Sequence, residues 1–165
     1  VASLLGLSPV YAQGNMALSS NSVADGKIAK VHGCPDMGGK DTSVHLQIDQ
    51  IPAGSRYVSI VVDDPDARKP AGKVWVHWNL FNIPVNEGRL TVREGQPPQG
   101  DVGRSSGNMR GFEGMCPPNG VHTYRFAVYA TAEKVAPASR PMTVEDMDAK
   151  LGGQPLSKAL MTGRY

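Results

Sequence analysis

The sequence predicts a single, mainly β domain, and three observations carry that prediction. Several segments alternate apolar and polar residues with a period of two, or form short β-branched runs, as strands do. Gly 19 and Pro 13 in 165 residues punctuate the chain too often for a helical bundle. Helix signals are confined to its last quarter. A chain this long has the size of one domain and can bury roughly 70% of its unfolded surface. Hydrophobic residues at 40% and charged residues at 19% exclude intrinsic disorder. Lys+Arg 17 against Asp+Glu 15, a formal net charge of +2, gives no basic footprint of a nucleic-acid binder.

Val1–Tyr11 is uncharged, and its apolar run leads to Val10-Tyr11-Ala12, the small-x-Ala pattern of a signal-peptide cleavage site. Residues 1–12 are therefore expected to be a truncated signal peptide, 13–21 a flexible mature N-terminus, and 22–165 the folded domain. The apolar run is too short for a transmembrane anchor, which needs about 20 residues, so the expected location is periplasmic or secreted. The two cysteines, Cys34 and Cys116, are 82 positions apart and outside any C-x-x-C pair. They are either one disulfide, which export favours, or two buried thiols.

Val44–Asp49 alternates strictly, with Val44, Leu46 and Ile48 on one face. Tyr57–Val62 is a β-branched run that Asp63-Asp64-Pro65-Asp66 ends, because Pro65 cannot donate to a ladder and Asp favours turns. Val74–Ile83 reads as a strand whose period sets Trp75, His77 and Asn79 on one face and Val74, Val76, Trp78 and Leu80 on the other. Gly88–Arg93 is a short strand. Val121–Ala130 is a long one, with His122, Tyr124, Phe126 and Val128 on a shared face. Between them, Glu94–Gly120 holds seven Gly and four Pro without periodicity, an unusual length for a loop in a compact domain. Pro117 and Pro118 are expected to stiffen its end into a wall, and residues 100–107 to be mobile. Thr143-Val144-Glu145-Asp146 begins a helix as a capping box does, Val144, Met147 and Leu151 continue it, and Gly152 stops it. Leu156–Met161 is expected to be a further short helix.

No phosphate-binding P-loop, dinucleotide fingerprint, nucleophile elbow or H-E-x-x-H occurs. The polar groups worth attention are Asp64, Asp66, His77, His122 and Tyr124, all at predicted strand ends. Each alone has a bland reading: an Asp at a turn is usually a turn-former, and a His alternating with Trp is usually packing.

Together they sit in two longer motifs. Asp64-Pro65-Asp66-Ala67, then Trp75-Val76-His77-Trp78-Asn79 and Asn82-Ile83-Pro84, resembles the first signature of the phosphatidylethanolamine-binding protein family. Cys116-Pro117-Pro118-Asn119-Gly120-Val121-His122-Thr123-Tyr124-Arg125-Phe126 is similar to the second. The resemblance spans 22–165 and points to the bacterial Raf-kinase-inhibitor-like branch, with Met115 where a Pro is usual and Phe112-Glu113-Gly114 where an aromatic-Gly-Gly run is usual. It implies two packed antiparallel β-sheets with short C-terminal helices and a small anion pocket lined by Asp64, Trp75, His77, Pro117, Pro118, His122 and Tyr124. Asp66 would hold the turn that aims Asp64. It also implies no cofactor, and among bacterial members a homodimer.

Such a pocket suits a phosphate or phosphoethanolamine headgroup. The histidines and Tyr124 would donate to phosphate oxygens, Asp64 would meet an ammonium or orient a histidine, and Trp75 would form an apolar or cation–π wall. The function expected is a non-enzymatic, exported binding protein for a small anion or phospholipid headgroup, modulating a partner protein if the branch resemblance extends that far. One alternative is an enzyme using Asp64, His77 and His122 as acid/base groups on a phosphoester. Another is a zinc site built from the same three residues.

Overall fold

The structure is a computed structural model that describes residues 15–153 and 155–165; the signal-peptide expectation for 1–12 lies outside the described residues. In chain order the strands are β1 (Ala17–Ser19), β2 (Val23–Ala24), β3 (Lys27–Ile28), β4 (Leu46–Asp49), β5 (Tyr57–Asp64), β6 (Trp75–Pro84), β7 (Leu90–Val92), β8 (Asp101–Val102), β9 (Thr123–Thr131) and β10 (Ser157–Arg164), with a four-residue helix α1 (Arg68–Ala71) and a longer α2 (Val144–Leu151). One sheet has the order β1-β4-β7 and the other β2-β3-β10-β9-β5-β6-β8. Every pairing is antiparallel except the short β3–β10 contact.

The two sheets pack face to face. Leu46, Ile48 and Val92 from the small sheet meet Val58, Ile60, Val62, Trp78, Leu80, Phe126 and Val128 from the large one. The opposite face of the large sheet is buried too: Val61, Phe81, Ala127 and Tyr129 receive Val144, Met147 and Leu151 of α2. Strands covered on both faces read as continuous apolar runs, which is why Tyr57–Val62 shows no alternation. Helix α2 starts as expected, with Thr143 Oγ1 accepting from Asp146 N–H at 3.1 Å and Asp146 Oδ2 accepting from Thr143 N–H at 3.1 Å. Thr143→Ala should therefore cost about 1 kcal/mol, read as a lower urea midpoint at unchanged slope; no shift would mean that the Asp146 half of the box suffices.

Four expectations are corrected. The described part of the segment expected to be flexible, residues 15–21, is not a loose tail: β1 pairs residue for residue with β4, and Met16 is buried. Leu156–Met161 is not a helix: Ser157–Met161 begins β10, which pairs with β9 along its whole length. Its Leu160 is exposed while Ser157 and Gly163 are buried, and the edge of β9 claims the segment as a strand. Residues 100–107 are anchored rather than mobile. Strand β8 pairs with β6, Gly103 N–H donates to Asn79 O, and Ser106 N–H donates to Val76 O.

The fourth correction concerns β6. Val62 pairs with Trp78, but Asp63 pairs with Val76, so His77 is an extra residue opposite β5. Such a bulge re-aims side chains on either side of it. Trp75 consequently lies on the face of Trp78, opposite Asp64, whereas Asn79 points the other way and binds Met142 through both its amide atoms.

Candidate functional site

The turn after β5 builds one wall of a cavity. Asp64 Oδ1 accepts from Asp66 N–H at 2.9 Å, capping a short 3-10 turn over Pro65–Ala67. Asp66 Oδ2 in turn accepts from Thr123 N–H at 2.8 Å, so Asp66 ties the turn to the start of β9. The second oxygen of Asp64 meets His122 Nδ1 at 2.6 Å. That contact fixes the proton on Nδ1, because a carboxylate only accepts, and leaves Nε2 for a ligand.

His77 is held the same way by a different group. Its Nδ1 donates to Glu113 O at 2.9 Å, again leaving Nε2. Its ring packs edge-on against Tyr124 with centroids 5.3 Å apart. Burial lowers the His77 pKa below the usual 6.5, against the opposing pull of the hydrogen bond to the Glu113 carbonyl and of the carboxylates of Glu113, Asp64 and Asp63. His77 is therefore a neutral imidazole at pH 7.

Tyr124 is fully buried, and its hydroxyl has no hydrogen-bond partner among the described residues. Burial, and secondarily the Asp64 carboxylate, pushes its pKa far up, so it remains a donor. A buried polar atom without a partner costs about 1–3 kcal/mol. The Tyr124 side chain is one of those around a cavity of about 220 Å³ lined by Asp64, Trp75, His77, Glu113, Pro118, His122 and Tyr124, with Ala67, Pro70, Ala71 and Cys116 completing it.

Six of the seven residues expected to line a pocket thus converge. Pro117 does not: it is buried and is not among the residues lining the cavity. Glu113 is the residue that sequence reasoning missed. Its Oε2 accepts from Trp75 Nε1–H at 3.3 Å and from Gly107 N–H at 3.1 Å, fixing the indole and the loop at once. The Lys73 ammonium lies over the other part of this wall, 5.4 Å from the Trp75 ring. The wall is further braced by a disulfide between Cys34 and Cys116, whose Cα atoms are 5.4 Å apart, so the two-thiol alternative is excluded here. Among the described residues no group of three or more His, Cys, Asp or Glu is arranged to hold a metal ion. The two histidines spend Nδ1 on Asp64 and a backbone carbonyl.

A two-sheet β protein with paired histidines, an aspartate and a tyrosine around a cavity at its strand ends defines a narrow class of fold and site. The phosphatidylethanolamine-binding protein family matches residues 19–165. A UPF0098 protein of Methanothermobacter thermautotrophicus is 33% identical over 155 residues, covering 91% of this chain and 98% of its own. The crystal structure of Escherichia coli YbcL, described as a new member of the mammalian PEBP family, has a TM-score of 0.74 at 27% identity, covering 93% of this chain and 98% of that one. The lipoprotein LppC of Mycobacterium tuberculosis is 42% identical over 81 residues, 47% of this chain and 38% of its own. The chain belongs to the phosphatidylethanolamine-binding protein family, in its UPF0098 group.

Proposed function

We propose that this chain is an exported, non-catalytic binding protein that takes a small anion or phospholipid headgroup in the Asp64–His77–His122–Tyr124 cavity. The observation that carries the reading is the buried Tyr124 hydroxyl, without a partner among the described residues, beside two histidines whose Nε2 atoms are left for a ligand. A phosphate oxygen would accept from Tyr124 and from a protonated His77. Glu113 and Asp64 at the same cavity favour a zwitterion, whose ammonium they would attract, over a bare phosphate. The family name and the cavity's apolar walls of Trp75, Pro70 and Pro118 support a lipid headgroup. The disulfide, together with the lipoprotein relative, supports an oxidising, extracytoplasmic location, where any protein partner would also have to reside.

The test is calorimetric titration with phosphoethanolamine, and with glycerophosphoethanolamine, whose phosphodiester keeps one fixed charge across the range used. Binding stabilises protonated His77, while burial holds it neutral in the unliganded protein, so association takes up a proton. Affinity for the diester should rise as pH falls through the pKa of His77 in the complex, which the phosphate raises, and flatten below its lowered pKa in the unliganded protein. His77→Ala should weaken binding by about tenfold or more and remove the pH dependence. Equal affinity at about pH 6 and about pH 8, or turnover of phosphoesters that His77→Ala abolishes, would sink the binding-protein reading.

A further inference from the structure

A second cleft, between residues 102–110 and 138–141, has a different chemistry. Residues 103–111 form a tight hairpin: Ser105 N–H donates to Met109 O, Asn108 N–H to Ser105 O, and Gly111 N–H to Gly103 O. These bonds flank Arg104 and Arg110, which face each other as an antiparallel bridge without bonding to each other. That is the non-hydrogen-bonded type of pair, in which opposed Cα atoms approach to about 4.5 Å and side chains are closest. Like charges directly opposite on such a pair repel. Arg104 Nη1 donates to Asn108 O at 2.9 Å, while Arg110 has no ion-pair or hydrogen-bond partner among the described residues.

The opposite wall adds Lys73 and Arg140, so four cations line a cleft of about 410 Å³ with Ser105, Ser106, Asn108 and Ser139. Among the described residues no carboxylate lines it, although the whole chain is nearly balanced at +2. Arg140 alone is offset, by Asp146 at 2.8 Å, and Asp146 faces an adjoining depression. Positive charge focused in a concave surface raises the local anion concentration. Guanidinium groups offer forked donors that match phosphate oxygens.

We propose that the cleft between the 103–111 hairpin and the Lys73/Arg140 wall is a second anion site, separate from the cavity, for a ligand carrying several phosphate charges. The opposed Arg104 and Arg110 would share one phosphate group, which relieves their repulsion, and Lys73 and Arg140 would hold a second. This site does not depend on the cavity reading.

The probe for a free ligand is tripolyphosphate, titrated at low salt into the wild type, the Arg104→Gln/Arg110→Gln double variant and His77→Ala. The probe for a lipid source is retention on phosphatidylcholine vesicles doped with phosphatidic acid. Tripolyphosphate should bind saturably, lose affinity as salt rises, weaken by about tenfold or more in the double variant, and bind unchanged to His77→Ala. The double variant gives up the exposed Arg104–Asn108 hydrogen bond and relieves the repulsion, so it should melt close to the wild type, which excludes unfolding as the cause. Vesicle retention that is also lost in the double variant would assign the phosphates to a lipid; its absence would assign them to a free ligand. No saturable binding of either probe, equal binding by the double variant, or binding abolished by His77→Ala would overturn the proposal.

Discussion

Replacing both bridged cysteines, as Cys34→Ser/Cys116→Ser, should remove about 4–5 kcal/mol of stability without abolishing the fold. The bond closes a loop across 82 positions, and the chain-entropy account of that constraint gives this magnitude. It is a large share of the roughly 5–15 kcal/mol that holds a domain together. The native contacts around the bridge survive its loss: Cys34 N–H still donates to Met115 O, Met115 N–H to His32 O, and Gly114 N–H to Asp41 Oδ1. The cavity wall at Pro118 should therefore keep its shape in the cold and fail early on heating. Urea unfolding of the oxidised, reduced and double-serine proteins checks this, with the last two expected to coincide. A loss below about 1 kcal/mol would mean that the hydrogen-bonded wall already restrains the unfolded chain as the bond does.

The same region shows what could be read from residues alone. Strands β4, β5, β6, β7 and β9 were legible because each carries its own periodicity or β-branched run, and α2 because its cap and stop are local. Strand β10 was not, since Leu156–Met161 carries weak helix and weak strand signals alike, and its state is decided by the edge of β9, which no local pattern encodes. Strand β1 was missed for the same reason: Ala17–Ser19 becomes a strand only against β4.

The cavity was legible as a set of residue types and not as geometry. Asp64, His77, His122 and Tyr124 stood out as polar groups at strand ends, and they do converge. Two facts stayed hidden. The bulge at His77 breaks the period of two, so Asn79 was wrongly placed beside Trp75. Glu113 sits in a glycine-rich loop where a carboxylate is unremarkable, and its role follows only from the approach of Trp75, Gly107 and His77. One available signal was its place in the run before Cys116, where an acidic residue replaces a glycine of the family pattern. Pro117 was over-read because Pro117-Pro118 was treated as one wall, although successive residues of an extended segment face opposite ways.

Asp63→Ala should be the costliest single substitution on the face of the large sheet that carries α2, at about 3–5 kcal/mol. The side chain is fully buried. It accepts from Arg125 Nε–H at 2.7 Å, from Arg125 Nη2–H at 2.8 Å and from Val144 N–H at 2.9 Å. The last of these sets a negative charge at the first turn of α2, where the helix dipole favours it. Truncation leaves that amide orphaned and the Arg125 guanidinium with Glu145 alone. Glu145 is itself half exposed, and Arg125 holds its pKa down at about 2. That depressed group stabilises the fold above its usual carboxylate range, and the contribution fades as pH falls through 2. Solvent screens an exposed partner, so Glu145→Gln should cost under about 1 kcal/mol. The contrast between the two variants in urea is the measurement. If Asp63→Ala costs no more than Glu145→Gln, then Met147 and Leu151 dock α2 by apolar packing alone. In the expected outcome, neighbouring carboxylates at the end of β5 divide their work by face. Asp63 fixes the helix layer, and Asp64, one residue on and pointing the other way, is free to orient His122 in the cavity.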